Sequence, residues 1–322
     1  MRAFITGASG FIGRHLTRYL LQSGWQVRAL VHRRKIMGLD GLEIVESHIR
    51  NLALLEDSLR GTDVLFHLAS ALGSSQIRRG EFRAVNAEGT RTALEAARRT
   101  GVRKVVHFSS AGVLGHVEAA EPAGEDYPPR PKDIYDRTKL EGEEIALDFG
   151  RGGMDVVVIR PGWVYGPEDR RTFKLIRAIA KGRFLLVSKG LILQTPVYIQ
   201  DLVQGTLLIA DKGRRGEIYH LAGPEVLTVR TIVETIAAAS EKRIPRFHPP
   251  LFSVQAAAWM MGKAFSLFRK EAPLNPSRLS FFVHPKPLSI EKAVRELGYA
   301  PRTNFRKGMA LTVAWYKEAG WL

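Results

Sequence analysis

Tyr135 and Lys139 stand four residues apart in the run Tyr135-Asp136-Arg137-Thr138-Lys139. On a helix that spacing puts both side chains on one face, a turn apart. Pro131 and Asp133, just upstream, are residues that start helices. A tyrosine phenol, with an ordinary pKa of ~10, is a poor base at neutral pH. An ammonium about 4 Å away favours the phenolate by up to ~4 kcal/mol at an effective dielectric of ~20. This is about three pKa units before desolvation opposes it. Such a shift poises a phenol for proton transfer to or from a reacting oxygen. Tyr135 and Lys139 are therefore the leading catalytic candidates.

A second chemistry is written at the other end of the chain. A short apolar strand, Arg2–Thr6, runs into Gly7-Ala8-Ser9-Gly10-Phe11-Ile12-Gly13, and Leu16, Tyr19 and Leu20 then recur at helical spacing. Strand, glycine-rich turn and helix together form what a dinucleotide pyrophosphate requires. Gly7 permits the tight turn, Gly10 lets backbone approach phosphate, and Gly13 lets helix and strand pack closely. The helix offers free N–H groups and a positive dipole end to the anion. Ser9, Phe11 and Ile12 complete this candidate cofactor turn. At the end of the second strand an NAD site wants a carboxylate for the ribose hydroxyls. This chain gives His32-Arg33-Arg34-Lys35, and its first acid is Asp40. A basic cluster suits a 2′-phosphate, so NADP is expected over NAD, with His32, Arg33 and Arg34 beside it.

The elements that must position these groups alternate between strand and helix, which predicts a parallel sheet with crossover helices. After the first strand, strands are expected at Gln26–Val31, 42–45, 64–68, 102–109, 156–160 and Ile218–Leu221, with a helix over 84–99. The fold class is α/β, a Rossmann-type doubly wound sheet with a smaller C-terminal substrate-binding domain. Residues 1–166 are expected to form the dinucleotide-binding domain, with returns near 196–223. Residues 167–322 are expected to form mainly the smaller domain, interleaved with the first.

Composition narrows the class. The 322 residues are 45% apolar, enough for a packed core, and contain no cysteine, which excludes disulfides, thiolate metal sites and a cysteine nucleophile. No metal is expected. The first strand begins at residue 2, so no cleavable leader is expected, and no apolar run reaches the ~20 residues a spanning helix needs. A cytoplasmic protein without a transmembrane segment follows, with contact at a membrane surface left open by the net charge of +16. The basic residues lie in short pairs such as Arg78-Arg79 and Arg214-Arg215, with no nucleic-acid motif, so nucleic acid is not an expected partner.

The glycine spacing, with Thr6 before it and Phe11 within it, resembles the extended short-chain dehydrogenase/reductase superfamily, the NAD-dependent epimerase/dehydratase family. Further segments carry the resemblance in order: His67-Leu68-Ala69, Asn86-Ala87-Glu88-Gly89-Thr90, Tyr135 with Lys139, residues 160–167, Tyr198-Ile199-Gln200-Asp201-Leu202, and residues 292–299. It implies an NAD(P)-dependent enzyme in which Asn86 braces the site and Leu68, Ala69 and Ser70 line the cofactor. Phe108 and Ser109 would also bind the cofactor, and Pro161, Gly162 and Val164 belong to the segment that would meet the nicotinamide amide. Aligning Val113-Leu114-Gly115 with the family's turn makes Ser110 the hydroxyl on the reacting oxygen, with Ser109 as fallback. Leu114 replaces the usual tyrosine of that turn. After the third strand the chain reads Ser47-His48-Ile49-Arg50-Asn51, without the family's two aspartates. Adenine recognition would then fall to His48 or the backbone of Ile49.

For the substrate, residues 251–268 contain Phe252, Val254, Trp259, Met260, Met261, Phe265, Leu267 and Phe268, with Lys263 their only charge, and Phe281-Phe282 follow. This resembles the branch of hydroxysteroid dehydrogenases and dihydroflavonol reductases, whose substrates are apolar alcohols and ketones. The same side chains would equally serve a helical core or a homodimer interface, and a homodimer is the expected assembly. A nucleotide-sugar epimerase is the alternative, for which Arg183, Lys189 and Arg278 are available. Ser110-Ala111-Gly112 lacks the Asp-Glu pair of dehydratases. A non-catalytic NADP-sensing regulator would tend to lack the tyrosine–lysine pair.

Overall fold

The computed structural model describes residues 1–32, 36, 38–72, 79–118, 120–245, 249–267 and 282–322. Arg33, Arg34, Phe268, Arg278 and Phe281, singled out from sequence, lie outside them. Seven strands form one sheet: β1 (Arg2–Thr6), β2 (Gln26–Val31), β3 (Leu42–Glu46), β4 (Val64–His67), β5 (Lys104–Phe108), β6 (Val156–Pro161) and β10 (Ile218–Leu221). Their order is β10-β6-β5-β4-β1-β2-β3, and every pairing is parallel. Burial on both faces explains runs such as Val156-Val157-Val158-Ile159, all fully buried, where a one-sided strand would alternate. The expected strands are thus present, with ends shifted. The fifth stops at Phe108; the Ser109 N–H still donates to the Ile159 carbonyl of β6 at 2.8 Å, and Ser110 lies beyond the pairing.

One face is covered by α2 (Leu52–Leu59), α4 (Gly89–Arg99) and α5 (Ile134–Arg151), and α1 (Phe11–Gln22) and α7 (Ile199–Lys212) pack together in the other core. The helix read over 84–99 is built differently: α3 (Arg79–Arg83) passes through a π-helical turn, Ala84–Glu88, into α4. Such turns concentrate at functional positions, and this one holds Asn86.

Beyond β6 the chain makes β7 (Trp163–Tyr165), α6 (Arg170–Ala180), β8 (Leu193–Gln194) and β9 (Pro196–Tyr198) before α7 and β10. The remainder holds β11 (Leu227–Thr228), α8 (Val229–Ala239), α9 (Leu251–Leu267), α10 (Glu291–Leu297) and α11 (Phe305–Glu318). Short pairings join β7 to β9 and β8 to β11. The end of the chain locks the returning strand. Lys292 donates to Glu217 and to the Ile218 carbonyl at 2.6 and 2.8 Å, and the Tyr299 hydroxyl donates to the Ala222 carbonyl at 3.0 Å. Asp201 accepts the backbone N–H groups of Arg302 and Thr303 at 3.1 and 3.0 Å. Among the described residues no helix is long and apolar enough to cross a membrane.

Candidate active site

The parallel sheet brings the carboxyl ends of β1, β4 and β5 side by side, the edge at which doubly wound sheets bind ligands. Gly7 leaves β1 at φ 76°, and a Cβ there would stand 2.6 Å from the Leu68 backbone. A Cβ on Gly13 would stand 2.3 Å from the Gly7 carbonyl. The turn therefore packs directly against Leu68-Ala69 on one side and α1 on the other. Gly10 begins α1 without a side-chain cap. The first N–H groups of the helix are left to an external acceptor, as a pyrophosphate requires. These residues fit a dinucleotide. Past β2 and β3, the His32 and His48 rings meet edge to face at 4.8 Å, with Ile49 buried against the position of Gly89. Past β6, Gly162 donates its N–H to Leu221, and a Cβ there would meet the Thr195 carbonyl at 2.4 Å. Pro161, Gly162 and Val164 are all half-buried.

Tyr135 and Lys139 sit in the first turns of α5, whose N-terminus is capped by Asp133 accepting the Asp136 N–H at 2.8 Å. Burial pushes the Tyr135 phenol up; the Arg171 cation opposes this, Asp136 adds to it, and hydrogen bonds with Ser70 and Ser110 favour the phenolate. Both serines thus lie beside the phenol, but Ser70 Oγ gives its own proton to Asn86 Oδ1 at 3.1 Å. Ser110 Oγ accepts the Gly112 N–H at 3.0 Å, so its own proton is available to a second partner. Ser109 Oγ is buried without a partner among the described residues.

Lys139 differs from the sequence picture of a cation held against the phenol. Its ammonium is buried and donates to the Phe108 carbonyl, which ties α5 to the end of β5. Burial pulls its pKa down to about 8, against the attraction of Glu143. Glu143 is itself locked to Arg160 through two bonds of 2.6 and 3.0 Å, both side chains buried.

Asn86 joins these parts. Its carbonyl oxygen accepts from Ser70 Oγ at 3.1 Å and the Ala71 N–H at 2.8 Å, and its amide donates to Thr138 Oγ1 at 3.0 Å. Thr138 in turn donates to the Tyr135 carbonyl at 3.0 Å. A further chain runs back into the sheet. Thr90 Oγ1 donates to the Asn86 carbonyl at 2.7 Å and accepts from His67 Nε2 at 3.0 Å, while Thr6 Oγ1 donates to His67 Nδ1 at 2.8 Å. These roles follow because Thr90 Oγ1 spends its proton on the backbone carbonyl of Asn86, so Nε2 carries the hydrogen of the neutral ring and Nδ1 accepts. The fully buried His67 ring is therefore neutral, its pKa pulled down to about 3 by burial and by the Lys139 charge.

Sequence reasoning missed the part played by four of these residues. Arg171 lies 36 positions beyond Tyr135, in the first turn of α6. Thr90 and Thr6 were read only as parts of motifs. His67 stood inside a quoted segment, yet its role depends on partners 61 and 23 residues away.

The chain matches the NAD dependent epimerase/dehydratase family over residues 3–222. It is 31% identical to a 4-hydroxy-2-methyl-3-oxo-4-farnesyl-3,4-dihydroquinoline-1-oxide ketoreductase of Stigmatella aurantiaca, covering 96% of this chain and 95% of that one. It is 32% identical to sterol demethylase protein B of Methylococcus capsulatus, covering 99% of each. The solved structure of MoeE5 with UDP-glucuronic acid and NAD superposes with a TM-score of 0.80 at 27% identity, over 99% of this chain and 100% of that one. Glycine cradle, buried lysine and hydroxyl cluster thus stand on a shared framework, and the chain belongs to the NAD dependent epimerase/dehydratase family.

Proposed function

We propose that the protein is an oxidoreductase that interconverts a secondary alcohol and a ketone on a largely apolar molecule, preferring NADP(H). The observation that carries this is the Ser110 hydroxyl, which accepts from the Gly112 N–H and so keeps its own proton for another oxygen, beside the half-buried Tyr135 phenol. A carbonyl oxygen placed there accepts a hydrogen bond from Ser110 and receives or returns a proton at Tyr135. A bound nicotinamide supplies or takes the hydride. No carboxylate stands at Ala111 or Gly112 to drive an elimination. The relatives support an apolar substrate, since one is named for ketone reduction on a farnesylated quinoline and another for sterol demethylation. For the cofactor, the run His32-Arg33-Arg34-Lys35 supports NADP.

Turnover against farnesylated ketones, sterols and UDP-sugars, with either cofactor, tests the reading. Tyr135→Phe is expected to lower kcat by at least ~10²-fold while cofactor binding is kept. Near-normal turnover in that variant overturns the assignment. Calorimetric titration tests the cofactor: equal or tighter NAD binding, unmoved by Arg33→Ala with Arg34→Ala, removes the NADP preference.

One observation favours a second reading. Arg171 acts electrostatically on the Tyr135 phenol, and a nucleotide-sugar epimerase needs arginines that reach a diphosphate. MoeE5 was solved with UDP-glucuronic acid. Turnover of UDP-sugars alone, lost in Arg171→Ala, would replace the first reading with this one.

A further inference from the structure

Helix α9 is apolar on both sides. Its inner side, with Leu251, Val254 and the fully buried Ala258, packs against Val187. Its outer side exposes Phe252, Gln255, Ala256, Trp259, Met260, Lys263 and Ala264, which recur every three or four residues and so share one face. Phe252 is 74% exposed, and Trp259 and Met260 are each 58% exposed. A helix apolar all round is normally enclosed. This one, at 17 residues, is shorter than the ~20 that span a bilayer.

The composition of the two chain stretches that meet at this contact is one-sided in charge. Residues 170–200, which include the segment beneath α9, and residues 242–270, which include α9 itself, together carry thirteen lysines and arginines and no aspartate or glutamate. Two stretches thus carry most of the net charge of +16. On α9 the Lys263 ammonium lies 4.1 Å from the Trp259 ring centroid. An aromatic body with a cation at its rim is an arrangement that suits a water–lipid boundary.

We infer that α9 lies flat in the surface of an anionic lipid bilayer, with Phe252, Trp259 and Met260 among the acyl chains and Lys263 at the lipid phosphates. A second copy fits less well, because a two-fold contact through α9 would bring two copies of Lys263 together without an acid on the helix to meet them. This inference stands apart from the proposed reaction, since it concerns a surface and not the chemistry at Tyr135.

The test is co-sedimentation of the full chain with vesicles of phosphatidylglycerol and phosphatidylcholine, against phosphatidylcholine alone. Binding is expected only with the anionic lipid, weakening at least tenfold between low and high salt. Trp259 emission is expected to shift to the blue, read as the difference from Trp259→Phe. Phe252→Ser with Trp259→Ser and Met260→Ser should weaken binding at least tenfold, with an unchanged unfolding midpoint because these side chains are exposed. Failure of the parent chain to bind anionic vesicles overturns the inference, as does equal binding by the triple variant. A lipid-free dimer that the triple variant turns into a monomer also overturns it, assigning the face to a second copy.

Discussion

Lys139 carries the residue-scale consequence of burial. Its pKa of about 8 lies below the ordinary lysine value because the surrounding protein disfavours the charge. The proton therefore leaves at lower pH in the folded protein than in the unfolded chain. If the cation is needed for turnover, kcat/KM should be full below pH 8 and fall as pH rises through about 8; a profile flat to pH 10 would contradict this. Stability moves the other way. Between pH 8 and the ordinary lysine value the unfolded chain holds more protons, so this group favours the folded state increasingly as pH rises. His107 offers a second residue-scale test. It is fully buried in β5 opposite His67, the rings stacked at 5.3 Å, and neither of its nitrogens has a hydrogen-bond partner among the described residues. Burial pulls its pKa well down, with Lys139 and His67 adding to the effect. Protonation of the unfolded chain then lowers stability as pH falls below the ordinary histidine range. His107→Phe should raise stability by about 1 kcal/mol at pH 7, the lower cost of an unpaired buried group. It should also flatten acid unfolding between pH 6.5 and 4, both read by urea titration.

At the scale of elements, the π-helical turn between α3 and α4 decides where Asn86 points. Asn86→Ala would remove bonds to Ser70, Ala71 and Thr138 at once. It should cost about 2 kcal/mol of stability and lower kcat at least tenfold, with KM for the cofactor within threefold. A loss confined to stability would make Asn86 structural only. Gly13→Ala tests the cradle, because the new Cβ would sit 2.3 Å from the Gly7 carbonyl. Cofactor affinity is expected to fall at least tenfold in calorimetry. Much of this region was legible in the sequence, for physical reasons. Strands buried on both faces read as continuous apolar runs, the glycines sit where a side chain would collide, and Tyr135 and Ser110 are of types with few other reasons to stand there. The π-helical turn was not legible, because its composition is that of any helix. Arg171 was not legible either: its nearness to Tyr135 depends on how α6 packs, which no local pattern records. The Lys139 contact with Phe108 was hidden likewise, since the acceptor is a backbone carbonyl.

For the whole molecule, the order β10-β6-β5-β4-β1-β2-β3 means that the outer edge of β6 is closed only by a strand that comes much later. From Pro161 to Ile218 the chain detours through α6, β7, β8, β9 and α7. A protein cut after residue 166 would leave that edge unpaired and Tyr219 and Tyr299 absent from the core. It is expected to unfold without a cooperative transition in urea, or to aggregate; a sharp two-state curve would show instead that residues 1–166 suffice. During vectorial synthesis on the ribosome the same detour becomes a waiting time. At ~5–20 residues per second, the 56 positions between the two strands take roughly 3–11 s to emerge. For that interval β6 presents an open edge of Val156-Val157-Val158-Ile159 to every other nascent chain. The residues that later clamp β10, Lys292 and Tyr299, follow it in the chain by a further seventy positions or more. The last strand to join this sheet is therefore fixed only after that further stretch has emerged, and a holdase that masks β6 would be needed early and released late.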